Sequence, residues 1–153
     1  MNRTKFSYST QICVRNYEVD WQGIVHNGNY LLYCEVGRIE YLKHIGARVD
    51  LATINSKSRV VLVRNEIDYR SPARFDELLT VRTRVAWIRN TSFAMEGLIE
   101  RTTTGEIVAE NIAIHVWLVP GESRSAPVPE EFRTLVRAFE GENCEFLKLT
   151  TPE

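Results

Sequence analysis

From about Tyr30 to His44 the chain reads as a helix with apolar side chains on two nearly opposite sides, and this restricts its fold more than any other feature. At about 100° per residue, Tyr30, Leu31, Cys34, Tyr41, Leu42 and Ile45 share one face, while Leu32, Val36 and Ile39 form a second arc. A helix apolar on two sides is expected to be enclosed by its surroundings rather than laid on a surface. Arg38 projects into the middle of the first face, with Glu35 one turn earlier at its margin. A buried guanidinium needs a partner, and the i,i+3 spacing makes Glu35 the candidate. Gly46 is a natural stop, and Asn27 or Asn29 is suited to cap the start.

The rest of the chain supplies strands to enclose that helix. Residues 11–16 read as a short strand, followed by a Gly/Asn-rich loop from Trp21 to Asn29. Longer strands are expected over Arg59–Arg70, Leu78–Arg89, Ser92–Arg101 and Glu106–Val119, with Pro72 and Thr-Thr-Thr-Gly as breaks. Short connections between successive strands favour antiparallel pairing. Pro129 opens a short C-terminal helix, Glu130–Phe139, whose first turn is acidic. The expected class is α+β, an antiparallel sheet wrapped around a long central helix. Its edge strands need partners, and pairing across a two-fold axis predicts at least a homodimer.

A length of 153 residues fits one domain. A net charge of −1 gives no bulk attraction to nucleic acid or anionic membrane. Arginine nevertheless outnumbers lysine, with Arg59, Arg64, Arg70, Arg74, Arg82, Arg84 and Arg89 in one central stretch. Most fit solvated strand faces, and a guanidinium fork among them also fits phosphate. Cys13, Cys34 and Cys144 show no CxxC or disulfide-scaffold spacing. The polar start and the lack of any run of ~20 apolar residues predict a cytoplasmic protein without membrane insertion.

Several chemistries have no motif here: no G-x-S-x-G, no phosphate-cradling G-x-x-x-x-G-K-[ST], no G-x-G-x-x-G and no H-E-x-x-H. His26, His44 and His115 are too scattered for a zinc site, and no metal is expected. Cys34 fits a small hydrophobe on a packed face better than a nucleophile. What remains is the run from Asn16 to Tyr30, in which Asp20 precedes a glycine-containing loop that leads into the helix. The first turn of a helix presents unpaired N–H groups and partial positive charge, which suit a developing oxyanion. Asp20 there could attack an acyl carbon or deprotonate a water that does. A thioester suits such equipment, because a thiolate leaves with little general-acid help. Spacing alone also fits an Asp20 that closes a turn or caps a helix.

The same segment resembles the hotdog-fold acyl-CoA thioesterases of the 4-hydroxybenzoyl-CoA thioesterase type. The matching positions are Tyr17, Asp20, Gly23, Ile24-Val25, His26-Asn27 and Asn29-Tyr30. The resemblance continues through Glu35, Arg38, Gly46, Asp68-Tyr69, Pro72-Ala73, Asp76-Glu77-Leu78, Pro120 and Pro127-Val128-Pro129, covering residues 11 to about 137 of a single domain spanning 1–153. It implies a hotdog fold with Asp20 as catalytic carboxylate. The backbone N–H of Asn27, joined by Gly28, would be the oxyanion donor. It also implies that His26 and Tyr30 line the substrate site and that Arg89, Asn90, Thr91 and Ser92 hold coenzyme A. Glu35 is a second candidate carboxylate. Many relatives have an aromatic-His pair where this chain has His26-Asn27.

The resemblance therefore implies hydrolysis of acyl-CoA to free acid and coenzyme A, with no cofactor beyond the coenzyme A of the substrate, by a homodimer or homotetramer. An acyl-carrier-protein thioesterase shares this chemistry and differs in what carries the pantetheine arm. A non-catalytic acyl-thioester binding module is the third reading. A hotdog hydratase would pair a catalytic His with an acid at other positions, a pattern not found here.

Overall fold

The computed structural model describes residues 1–48 and 59–147. In chain order its elements are β1 (Tyr8–Cys13), α1 (Asn27–His44), β2 (Arg59–Tyr69), β3 (Leu78–Ile88), β4 (Ser92–Arg101), β5 (Ile107–Leu118), α2 (Glu130–Glu140) and β6 (Glu145–Phe146). They form the hotdog fold, with one sheet of order β1-β3-β4-β5-β2 and a long helix. β1 is antiparallel to β3 and pairs Tyr8 with Thr83 through Cys13 with Leu78. The two-residue β6 runs parallel to the far end of β3, Trp87 opposite Glu145. The chain divides into two compact units: residues 1–41, 66–84 and 96–112, and residues 42–65, 85–95 and 113–153.

The core of the first unit contains Val14, Tyr33, Cys34, Leu79, Val81 and Ile99. Gly37 brings α1 flush against β3: a Cβ built there would lie 2.7 Å from both Val81 Cγ1 and Thr83 Oγ1. That distance is below van der Waals contact, so only a residue without a side chain fits. In the second unit α1 ends as expected. Gly46 at φ +87° donates to Lys43 O and Ala47 donates to Leu42 O, which satisfies the last carbonyls of the helix.

Four expectations change. β1 begins at Tyr8 and ends at Cys13, because the Val14 N–H instead bonds Glu77 O and residues Asn16–Glu18 turn in a 3-10 helix. α1 starts three residues early, at Asn27, because neither Asn27 nor Asn29 is its cap; His26 accepts the N–H groups of the first turn. The second apolar arc is not enclosed by the described residues, since Leu32 is 58% and Val36 45% exposed. Arg38 is buried, and it bonds Asn111 Oδ1 at 3.2 Å rather than Glu35, which is exposed. Burial pulls the Arg38 guanidinium below its usual value, opposed by Cys34 and Glu35. Asn111 in turn donates to Glu66 O at 2.7 Å. The amide side chain reaches across 73 residues of sequence to do what a neighbour one turn away was expected to do.

Three of the central arginines are paired with glutamates. Arg70 binds Glu110, Arg82 binds Glu100 and Arg84 binds Glu96. The side chain of Arg59 lies outside the described residues. Among the described residues no helix is long and apolar enough to cross a membrane, and Cys13, Cys34 and Cys144 are free thiols.

Candidate active site

The loop that carries Asp20 is a miniature antiparallel ladder. Val19 bridges Val25, the Asp20 N–H bonds Ile24 O at 2.8 Å, and the His26 N–H bonds Glu18 O at 2.9 Å. Gly23, at φ +78°, makes the tight reversal that lets its N–H reach Asp20 O at 3.0 Å. α1 begins one residue after His26, so the helix start lies level with Glu18 on the ladder. Asp20 is two residues further along, roughly 7 Å at strand rise. One Asp20 oxygen, Oδ1, accepts the Gln22 N–H at 2.8 Å in an Asx turn. The carboxylate therefore does close a turn, with Oδ2 outside that bond, and the side chain is only half-buried.

The ladder is anchored by a carboxylate that local sequence did not single out. Glu18 is 5% exposed, and its Oε2 accepts the Arg15 N–H at 2.8 Å and the Tyr33 hydroxyl at 2.8 Å. Its Oε1 takes Arg15 Nε at 3.0 Å and also Nη2. Burial pushes the Glu18 carboxyl up, but the Arg15 side-chain and backbone bonds and the Tyr33 hydroxyl outweigh it and hold the group below the usual carboxylate range. The main-chain oxygen of Glu18 accepts Asn29 Nδ2 at 2.8 Å as well as the His26 N–H. One residue thus ties the Asp20 ladder both to the first turn of α1 and, through Tyr33, to its second.

At that first turn the two expected backbone donors differ. The Asn27 N–H has no acceptor among the described residues. The Gly28 N–H is taken, by His26 Nδ1 and Asn27 Oδ1, each at 3.1 Å. His26 is an exposed capping side chain here, with Nδ1 as acceptor. Tyr30 is buried, its hydroxyl accepts the Ala73 N–H at 3.0 Å, and its ring meets Tyr33 and Tyr69 edge-on. It is a core side chain within this chain. Tyr69, not anticipated, donates its hydroxyl to Asn27 O at 2.9 Å and so fixes the peptide that follows the open donor. Cys34 is buried and its thiol is pushed up to about 12 by that burial, so it is protonated at neutral pH and serves as packing.

Arg89, Asn90, Thr91 and Ser92 belong to the second unit. They form the β3–β4 reversal, in which the Arg89 N–H bonds Ser92 O at 2.8 Å. The carbonyls of Arg89 and Asn90 accept Arg133 Nη2, Asn90 O also accepts the Val128 N–H at 2.7 Å, and Thr91 O accepts the Trp117 N–H at 2.9 Å. Arg89 itself is exposed and lies over the Trp87 ring, 4.5 Å from its centroid. The turn is structurally well held, and its guanidinium faces solvent.

The pattern of the thioesterase-like superfamily matches residues 14–136. A chloroplastic acyl-acyl carrier protein thioesterase of Arabidopsis thaliana is 27% identical over 127 residues, which are 83% of this chain and 66% of that protein, just short of two thirds of its length. The long-chain acyl-CoA thioesterase FadM of Escherichia coli is 29% identical over 70% of this chain and 80% of its own. Among solved structures, a Thermus thermophilus thioesterase complexed with coenzyme A and Zn is 32% identical, with a TM-score of 0.76 over 90% of this chain and 97% of that one. A 1,4-dihydroxy-2-naphthoyl-CoA thioesterase from Synechocystis has a TM-score of 0.80 over 87% and 97% of the two chains at 19% identity, a likeness of fold. With its hotdog sheet, its long helix and a family pattern running from just after β1 into α2, the chain belongs to the thioesterase-like superfamily.

Proposed function

We propose that the protein hydrolyses acyl-CoA thioesters to a free acid and coenzyme A, with Asp20 as the reacting carboxylate. The observation that carries this reading is the pairing of a half-buried carboxylate, one oxygen of which lies outside its turn, with an open backbone donor, the Asn27 N–H, on the same short ladder. Asp20 takes a proton from water as the oxygen adds to the thioester carbon, and the carbonyl oxygen gains charge that the Asn27 N–H holds. Collapse breaks the C–S bond, and the proton passes to the leaving thiolate. Direct attack by Asp20, giving a mixed anhydride that water then opens, uses the same two groups. Gly28 becomes a second oxyanion donor only where both the His26 ring and the Asn27 amide swing off its N–H. The scheme draws on side chains and backbone alone.

The carrier half of the substrate is assigned to the β3–β4 turn, where Arg89 offers an acid-free guanidinium. An acyl-carrier-protein substrate is the second reading, favoured by the similarity to the plant thioesterases. A homodimer or homotetramer is proposed, supported by β2 at the sheet edge with Val60, Leu62 and Val63 exposed. Cytoplasmic residence is supported by the three free cysteines.

A panel of short, long and aromatic acyl-CoAs with a free-thiol readout tests the reading, alongside the Asp20→Asn variant. The variant keeps the turn bond to Gln22 but loses nucleophile and base, so kcat should fall by roughly 10²–10⁴-fold, the range for a positioned acid–base group. Unchanged kcat in folded Asp20→Asn refutes the assignment. Activity on acyl-carrier protein with none on the panel selects the second reading, and silence on both leaves an acyl-thioester binding module.

A further inference from the structure

The start of α1 is tied down at more points than a helix needs. The unpaired groups of a helix N-terminus are N–H donors, so a capping side chain accepts, and His26 does so here. Tyr69, the last residue of β2, does the opposite: its hydroxyl donates to the Asn27 carbonyl at 2.9 Å. A first-turn carbonyl has the helix ladder to bond and a second lone pair to spare, so this bond satisfies no orphaned group of the helix. Nor is it needed to dock the end of β2 against α1. The Val25 N–H already bonds Ala73 O at 2.8 Å, and the Ala73 N–H bonds the Tyr30 hydroxyl at 3.0 Å. Tyr69 is 49% exposed, so water competes for both partners and the bond adds little to stability.

What the bond fixes is orientation. Peptide planes are rigid, so each can turn only about the φ and ψ of the residues beside it. The plane that carries the Asn27 N–H is held at its oxygen end, where His26 O accepts the Asn29 N–H at 2.9 Å. The next plane is held at Asn27 O by Tyr69. With both planes held, φ and ψ of Asn27 are pinned, and its open N–H keeps one direction. The phenol is itself anchored: it meets the ring of buried Tyr30 edge-on, with centroids 5.4 Å apart and planes at 70°. A water in place of the hydroxyl would bond the same carbonyl without that anchor. An oxyanion donor acts through preorganisation, because it contributes most where it need not turn as charge develops.

We propose that Tyr69 is a positioning residue for thioester hydrolysis, its hydroxyl holding the Asn27 peptide so that the Asn27 N–H stays aimed at the carbonyl oxygen on which charge develops. The inference rests on the acyl-CoA reading with Asn27 as oxyanion donor. It adds that a side chain of β2, acting through the Asn27 carbonyl and not on the substrate, lowers the barrier.

Tyr69→Phe in the full chain keeps the ring and its contact with Tyr30 and removes only the hydroxyl. Its kcat for acyl-CoA should fall by about threefold to tenfold, on the order of one neutral hydrogen bond. KM should stay near wild type, and Tm should stay within about 2 °C, as for a surface substitution. A structural hydroxyl would not tell the ground state from the transition state, so two non-hydrolysed analogues complete the test. A trifluoromethyl-ketone analogue of the acyl-CoA, whose adduct mimics the tetrahedral oxyanion, should bind the variant about threefold to tenfold more weakly, the same factor as kcat. A thioether analogue without the carbonyl should bind both proteins alike. Equal kcat and equal ketone affinity in wild type and folded Tyr69→Phe overturn the proposal, and with Asp20→Asn inactive they do so while the activity reading stands. Equal weakening of both analogues also overturns it, as the mark of a distorted site. A wild type silent on every acyl-CoA refutes the activity reading and the proposal with it.

Discussion

Replacing Glu18 by Gln removes one charge and one acceptor from the group that anchors the Asp20 ladder. The cost can be worked from its partners. The Arg15 side chain is 55% exposed, so its guanidinium regains water, and that ion pair counts at the surface value of roughly 0.2–1 kcal/mol. The Tyr33 hydroxyl and the Arg15 N–H both point at Oε2. An amide keeps one oxygen acceptor on its fork and turns the other position into a donor, so either Oε1 or Oε2 ends against a donor. Leaving a buried donor unsatisfied costs about 1–3 kcal/mol, and Tyr33 is fully buried. The sum is about 1–4 kcal/mol. At about 2–4 °C per kcal/mol for a chain of this size, Tm should fall by roughly 2–16 °C.

The pH dependence has a definite sign. The folded Glu18 carboxyl lies below its ordinary value. Its stabilisation is therefore fully present above the unfolded carboxylate pKa of about 4.3 and is lost as pH falls through the lower folded value. The gap in Tm between wild type and Glu18→Gln should be constant from neutral pH down to about pH 5 and should shrink below about pH 4. Differential scanning calorimetry across that range measures both quantities. A Tm for Glu18→Gln within about 1 °C of wild type at neutral pH, or a gap that widens on acidification, refutes the reasoning.

Three further outcomes follow from particular contacts. Glu35→Gln should change stability by less than about 0.5 kcal/mol, as for an exposed site, whereas Asn111→Ala, which orphans buried Arg38, should cost about 3 kcal/mol in urea unfolding; a larger loss in Glu35→Gln would restore the local ion pair. A folded, inactive Glu35→Gln beside an active Asp20→Asn would move the chemistry to Glu35. Gly37→Ala should destabilise by about 1–3 kcal/mol despite the better helix propensity of alanine, because its Cβ meets Val81 and Thr83; a stabilised variant would show that α1 and β3 can separate there at little cost. His26→Ala should lose about 1 kcal/mol of capping and leave the Gly28 N–H to Asn27 Oδ1 alone, read by thermal melts together with kcat.

The strands from β2 to β5 were legible because long runs rich in β-branched and apolar residues between turn residues leave little choice of length. α1 was legible in its middle and at Gly46, where the stop is local chemistry. Its start was not, because the deciding acceptors, His26 O and Nδ1, belong to a residue type that helix-start rules do not favour. Glu18 was passed over for a general reason: a carboxylate is assigned to solvent unless something distant buries it, and Tyr33 does so from 15 residues away. Arg38 shows the same limit from the other side, since the i,i+3 rule sees Glu35 and cannot see Asn111. β6 has two residues, too few to carry a period.

The second apolar arc of α1 is the most informative disagreement. The sequence pattern requires cover for Leu32 and Val36, and this chain leaves both exposed, along with Val60, Leu62 and Val63 on β2. Apolar area left in water forgoes about 25 cal/mol per Å², and a contiguous exposed patch on a helix or sheet edge is a normal mark of an interface. Leu32 and Val36 also border a cleft of about 280 Å³ with Ile12 and Tyr33, so the arc is shaped as well as apolar. The demand for enclosure read from the helix is thus not met by the described residues of one chain. In the proposed homodimer or homotetramer a second copy would supply that cover, with Leu32 and Val36 among the side chains it would bury.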